Sequence, residues 1–431
     1  MGKSSPWQTL RSLLRGNILV ITITRTVGMF ARSMAFPYVS LFILALGGNP
    51  QQIGLVNTLA LLATLLALPV AGYLTDQLGR VRLISWAVFF SGIIYAFYVF
   101  APNWQFVALG AFLRGFTVVQ FPPTSALIAD SLPPANRGRG NALMNTIAGL
   151  PAIVAPYVAG VIIKSLGVDP GARYLFALLM GVYIVNAFLY RRFLQERPPT
   201  NPRRSSQRLL DALREAYASV LPLLRQFSPT LKALTGILVL GFCMNALAGP
   251  FWVVYATRQI GLSTAQWGLV LLVETALRSV FYLPAGVLAD RWGRAKVMGV
   301  ALVLATVLIP LFLWAKDFWQ VLGLRVLFAL VNSLFIPAST ALLADIVPRS
   351  LRGRVMAAIG RGTVFLGATS GGTGGPGLGA VTTIPLIVSS LASGYIYSLN
   401  PTYTWGLATL GTLLAAFLCL RYVRDPAQAE E

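Results

Sequence analysis

The sequence predicts an all-α membrane protein with twelve transmembrane helices arranged as two pseudo-symmetric six-helix bundles. Three observations predict it: too few charges to wet a globule, apolar stretches of spanning length from end to end, and a charged turn written twice, half the chain apart. Of the 431 residues, 56% are hydrophobic and 11% charged, against roughly 25% charged in a soluble protein. Lipid must therefore be the solvent for much of the surface. A bilayer core about 30 Å thick needs about 20 apolar residues per helix, and stretches such as 83–100 and 297–314 supply them.

In order along the chain, the opening "MGKSSPWQTLRSLLRG" carries Trp7, Leu10, Leu13 and Leu14 at helical spacing, with Arg11 and Arg15 opposite. That pattern fits a short interfacial helix and not a cleavable signal. The spans follow at 17–47, 52–75, 83–102, 104–132, 141–167, 171–193, 232–260, 264–289, 297–315, 318–347, 378–398 and 402–423. Their connections alternate in charge. One side receives the basic N-terminus, Arg80, Arg82, Arg137, Arg139, the run 191–232, Arg291, Arg294, Lys296, Arg349, Arg352, Arg354, Arg421 and Arg424. The other receives "GGNPQQ", "APNW", "LNPT" and a few isolated charges. The positive-inside rule then places both termini in the cytoplasm of a cell (plasma or inner) membrane, which requires an even number of spans.

Residues 1–194 form the first bundle, 195–231 a cytoplasmic linker and 232–431 the second bundle. The linker opens with "ERPPTNPRR", then repeats Leu209, Leu213, Tyr217, Val220 and Leu224 at helical spacing, as a helix lying along the membrane surface would.

The formal charge of +21 comes from arginines in short loops, so it orients spans and does not mark a nucleic-acid binder. Cys243 and Cys419 sit in apolar stretches as small buried hydrophobes, with no disulfide framework or metal site implied. Histidine is absent. That removes the commonest metal ligand and the side chain that titrates nearest neutrality, so proton chemistry must run through carboxylates.

"GYLTDQLGRVRL" (72–83) returns as "GVLADRWGRAKV" (286–297), and "SALIADSLPPANRGRG" (125–140) as "TALLADIVPRSLRGRV" (340–355). Asp130 matches Asp345, Pro133 matches Pro348, and Arg137-Gly138-Arg139 matches Arg352-Gly353-Arg354. Duplicated halves of this kind are the architecture of transporters that rock one half against the other around a central site. In the repeated turn, Gly79 and Gly293 supply the reversal, while Gly72 and Gly286 permit close backbone approach. Asp76 and Asp290 stand at helix C-terminal ends, where the macrodipole prefers cations. Each needs a partner: the arginine four residues on, or the N-terminal end of a helix in the opposite half. The second contact holds only when the halves close on the cytoplasmic side, so it acts as a latch.

This Gly-x-x-x-Asp-x-x-Gly-Arg-x-Arg/Lys pattern resembles motif A of the major facilitator superfamily, and the chain resembles that family's drug:proton antiporters over nearly its whole length. The resemblance implies that Asp76 faces the N-terminal end of span 11 and that Arg80 reaches Asp130. Asp290, Arg294 and Asp345 would mirror them against span 5. One departure is "GATSGGTGGPGLGA" (367–380), which lengthens the second half by about fourteen residues. Flexible backbone in lipid leaves polar groups unsatisfied, so 349–377 is expected on the cytoplasmic face, with span 11 starting near Leu378.

Glu274 lies ten residues into span 8, with Arg278 one turn on. A mid-bilayer charge costs about 2.5–3.5 kcal/mol on insertion scales, and i,i+4 spacing allows these two to pair. Arg25 and Arg32 share one face of span 1, Arg114 is in span 4 and Arg325 in span 10. In the family, spans 1, 4, 7 and 10 line the cavity. Arg325 resembles the motif B arginine, four residues before Ala329 where glycine is usual; the first half has Ala111 at that register and its arginine at Arg114. Gly149, Pro156 and Gly160 in "GLPAIVAPYVAG" partly resemble motif C of the exporting branches, though a packing kink needs the same residues. Phe30, Phe36, Tyr38, Phe251, Trp252 and Tyr255 offer apolar walls to a cargo.

The expectation is a monomeric secondary active transporter, a proton-coupled exporter of amphipathic, drug-like molecules. The alternative is uptake or exchange of a small organic anion such as a carboxylate or sugar phosphate. The partners are a small-molecule cargo and the lipid bilayer, and the proton gradient takes the place of any cofactor or metal. A membrane-embedded enzyme would need a nucleophile and a base, and the spans offer no such pair.

Overall fold

Polar side chains decide where the spanning helices begin. Asn49 and Ser263 each close a capping box, with Gln52 and Gln266. Asn103 and Asp317 accept from the third amide of the following helix. These caps satisfy amides that helix geometry leaves open, and they recur at one offset in the two halves. Prolines interrupt equivalent helices in both halves as well: short 3-10 turns at Phe36–Tyr38 and Gly249–Phe251 contain Pro37 and Pro250.

The computed structural model describes residues 14–196, 220–225, 227–347, 352–360, 363–367 and 379–425; within span 2, nothing is said of the side chains of 68–73 and 75–78. Twelve of the described helices are long and apolar enough to cross a membrane. Spans 1 to 6 are Asn17–Ala45, Pro50–Leu78, Arg80–Val99, Trp104–Ser131, Arg137–Leu166 and Val168–Phe193. Spans 7 to 12 are Pro229–Arg258, Thr264–Trp292, Arg294–Trp314, Phe318–Ile346, Ala380–Leu399 and Pro401–Tyr422. The expected interfacial helix before Leu14 and most of the linker helix lie outside the described residues; a short helix at Val220–Arg225 is the described part of the latter.

Spans 2 and 11, and spans 5 and 8, join the halves. Their closest contacts lie at the arginine-poor end of the bundle. A Cβ on Gly394 would collide with the Pro50 carbonyl, and one on Gly160 with the Thr264 carbonyl. Across the halves the Tyr38 hydroxyl donates to Thr264 O at 3.3 Å, and Thr264 Oγ1 donates to Gly160 O at 2.8 Å. Small residues let these backbones meet, the usual device for helix association in lipid.

The Gly-rich region departs from expectation. A short helix at Arg352–Ile359 is followed by non-helical backbone, and residues 363–367 enter the second bundle with Val364 and Leu366 buried. Asn332 in the middle of span 10 pairs both ways with Leu366, donating to its carbonyl at 2.9 Å and accepting from its N–H at 2.7 Å. The expected location on the cytoplasmic face is therefore wrong for 363–367. Irregular backbone is tolerated at this depth because protein side chains, not lipid, satisfy it. Span 11 itself starts at Ala380, close to the expected position; 368–378 lie outside the described residues.

Candidate functional site

At the arginine-rich end each half builds the same glycine turn and arginine–aspartate pair. Gly79 and Gly293 adopt φ of 77° and 96°, the left-handed region that favours glycine. From the next position, Arg80 pairs with Asp130 across spans 3 and 4, and Arg294 pairs with Asp345 across spans 9 and 10. Arg294 also holds Asp290 at 2.9 Å. Asp290 keeps 62% of its side chain exposed, so the approach to span 5 implied by the family pattern is not made here, where the halves meet at the opposite end. Gly286 has Pro337 at ordinary van der Waals distance, 3.8 Å from a built Cβ, so it permits no specially close approach in this state. The side chain of Asp76 and the surroundings of Gly72 lie outside the described set.

Two acids missed in the sequence complete these clusters. Glu196, just after span 6, accepts from the N–H groups of Arg80 at 2.8 Å and Val81 at 3.2 Å. Asp425, just after span 12, accepts from Ala295 N–H at 3.0 Å. Each carboxylate satisfies the open amides of a helix N-terminus and complements its dipole. The signal was an acid followed within two residues by proline after the last span of each half; the insert before span 11 hid the equivalence by shifting the repeat.

In the interior, Glu274 and Arg325 are both buried, and the pairing differs from expectation. Arg325 donates from Nη2 at 2.6 Å and Nε at 2.8 Å, both to Glu274 Oε2. Arg278 stands off at 3.8 Å from the other oxygen. The i,i+4 neighbour is thus the secondary partner, because a guanidinium crossing from span 10 meets the carboxylate more squarely than one on the same helix. Arg325 is fixed further by Gly367 O at 2.9 Å and lies over the rings of Trp252 and Phe328, 4.9 and 5.0 Å from their centroids. Among the described residues no group of three or more metal-ligating side chains occurs.

In the first half, Arg32 and Arg114 both face the Phe36 ring, at 5.1 and 4.8 Å from its centroid. Arg25 lies two turns away on an exposed stretch of span 1. Phe36, Tyr38, Phe251 and Trp252 are buried in the packing and so do not provide the open apolar walls expected of them. Of the partial motif C, Gly149 faces open space, Pro156 supplies the carbonyl to Tyr38, and Gly160 packs on span 8.

Two related six-helix bundles, touching at one end and carrying paired charges inside, define a membrane transporter fold. The model of the Major Facilitator Superfamily matches residues 21–254 and 234–431, and the chain belongs to that family. It is 26% identical to multidrug resistance protein MdtG of Enterobacter lignolyticus (strain SCF1) over 350 residues, covering 78% of this chain and 80% of that protein. It is 24% identical over 335 residues to the multi-drug resistance efflux pump PmrA of Streptococcus pneumoniae serotype 4 (strain ATCC BAA-334 / TIGR4), covering 75% and 80%. Among solved structures, the nucleoside transporter NupG superposes with a TM-score of 0.66 at 12% identity, covering 94% of this chain and 98% of that one. A bacterial homolog of the human lysosomal transporter Spinster, inward-facing and occupied, gives 0.66 at 16% identity, covering 99% and 100%. At these identities the structures speak to the fold alone.

Proposed function

We propose that the protein exports amphipathic small molecules in exchange for protons, by alternating access, with its arginine-rich end and both termini in the cytoplasm. On this reading the arrangement described is the inward-open state. The halves are pressed together at the outer end, while at the inner mouth Arg80 pairs with Asp130 and Arg294 with Asp290 and Asp345, each within its own half. Asp76 and Asp290 would meet helix ends of the opposite half only after the inner mouth closes. The names of MdtG and PmrA support export, and the chain joins them over most of its length.

The observation that carries proton coupling is Glu274, the one acidic residue among the buried polar and charged side chains of the described residues. A proton on Glu274 removes the charge that Arg325 and Arg278 neutralise and leaves two guanidinium groups facing each other. Span 8 then loses its hold on span 10. Gly268, under two turns away on the same helix, packs against Pro156 and Tyr157 of span 5, so protonation and the contact between halves are mechanically linked. One proton falling through about 100 mV releases ~2.3 kcal/mol, enough for roughly a fiftyfold gradient of a neutral solute.

The test uses everted membrane vesicles with an acidified lumen and a fluorescent amphipathic dye added to the medium as probe. Dye movement should collapse with a protonophore, and Glu274→Gln should abolish driven transport while leaving dye binding within about twofold. Full driven transport in that variant would sink the coupling assignment.

A further inference from the structure

The two halves carry equivalent scaffolds but unequal interior charge. In the second half, Glu274 offsets Arg325 directly and Arg278 in part. The repeat that superimposes Asp76 on Asp290 places Ala60 at the register of Glu274. The first half therefore has interior arginines and no interior acid: among the described residues neither Arg32 nor Arg114 has a carboxylate within ion-pair distance, and the polar side chains bonded to them are phenols, Tyr183 with Arg32 and Tyr98 with Arg114. Both guanidinium groups converge on one ring, that of Phe36. Arg114 Nε is buried without any hydrogen-bond partner, while both arginines keep part of their surface exposed. A ring face attracts cations but does not neutralise them. Two converging positive charges, one with an unused N–H, are what a planar oxyanion completes.

We propose that Arg32 and Arg114 form a binding site for the carboxylate of an amphipathic organic anion, so that the first half selects the charged end of the cargo. This rests on the reading of the chain as a transporter, and it narrows the cargo class from amphipathic molecules in general to those bearing a carboxylate.

The test is direct binding to the purified full-length protein, by calorimetry, of three probes of one shape: 1-naphthoate, 1-naphthalenemethanol and 1-naphthylmethylamine. The naphthoate should bind at least tenfold tighter than the alcohol, and the amine weaker than either. Arg32→Gln and Arg114→Gln should each lose about tenfold or more for the naphthoate and less than twofold for the alcohol, with Arg114→Lys between. If those variants do not fold, the ranking of probes on the unmodified protein still decides, and equal affinity for naphthoate and alcohol overturns the site. Chloride titrated alone should give no heat; saturation by chloride in competition with naphthoate would instead mark an inorganic ion site and overturn the proposal. Naphthoate bound through the arginines but never moved in vesicles, with the dye also unmoved, would refute the transport reading and leave the site standing. Dye export with no preference for naphthoate would do the reverse.

Discussion

The ends of the two bundles agree almost residue for residue, and their interiors do not. Asn49 and Ser263 cap equivalent helices, Pro37 and Pro250 break equivalent spans, and Arg80–Asp130 is repeated by Arg294–Asp345. Inside, spans 8 and 10 are joined by the Glu274–Arg325 ion pair, whereas spans 2 and 4 touch through backbone: a Cβ on Gly115 would collide with the Ala60 carbonyl. The lesson is that helix ends are fixed by demands every copy shares, namely open amides and reversal of direction, while the interior was free to diverge. On the proposed function, one interior became the coupling site and the other the cargo site.

The comparison breaks most severely at the ion pair. Removing Arg325 leaves Glu274 with only the more distant Arg278, so Arg325→Leu should destabilise by about 3 kcal/mol, with part of it recovered in the Glu274→Leu/Arg325→Leu double variant, where Arg278 is then the charge without a carboxylate. Unfolding of the purified protein by denaturant checks both, and a double variant no better than the single one would mean the charges are not the cause.

Next come the contacts between halves. Gly160→Leu should prevent the outer end from closing and shift the population away from the state described, whereas Asp76→Asn should favour that state by removing the inner latch. Cysteine cross-linking across each mouth reads the two shifts, which must be opposite in sign; unchanged cross-linking at the inner mouth in Asp76→Asn would refute the latch.

A smaller effect is expected at Gly115. Gly115→Ala should cost about 1–3 kcal/mol through overpacking, whereas Ala329→Gly, at the equivalent register of the second half, should cost about 1 kcal/mol of helix propensity. The smallest should be at the caps, where Asn49→Ala and Ser263→Ala should each lose about 0.5–2 kcal/mol and, if the ends are truly equivalent, nearly the same amount by thermal unfolding.

The spans themselves were legible because lipid imposes length and composition together. Span 10 was expected at 318–347 and runs Phe318–Ile346. The charged turns were legible because they repeat. Glu274 stood out as a charge in the wrong solvent, but its principal partner did not, since sequence displays the neighbour one turn away and conceals the one on another helix. The aromatic residues of spans 1 and 7 were visible as apolar material without any indication of whether they would face a cavity or each other. Trp252 ended in a packed cluster with Phe312, Phe328 and Trp405. The glycines of 367–380 announced missing helix, and nothing local announced that Asn332 and Arg325 would supply the hydrogen bonds for the segment leading into them.

That arrangement makes span 10 the mast of its bundle. It carries Asp345 at one end, Asn332 midway and Arg325 beyond, and so is rigged at three heights to span 9, to the intruding loop and to span 8. Tilting it while Glu274 is charged hauls all three along; a proton on Glu274 would cast off the stay to span 8 and leave the other two fast.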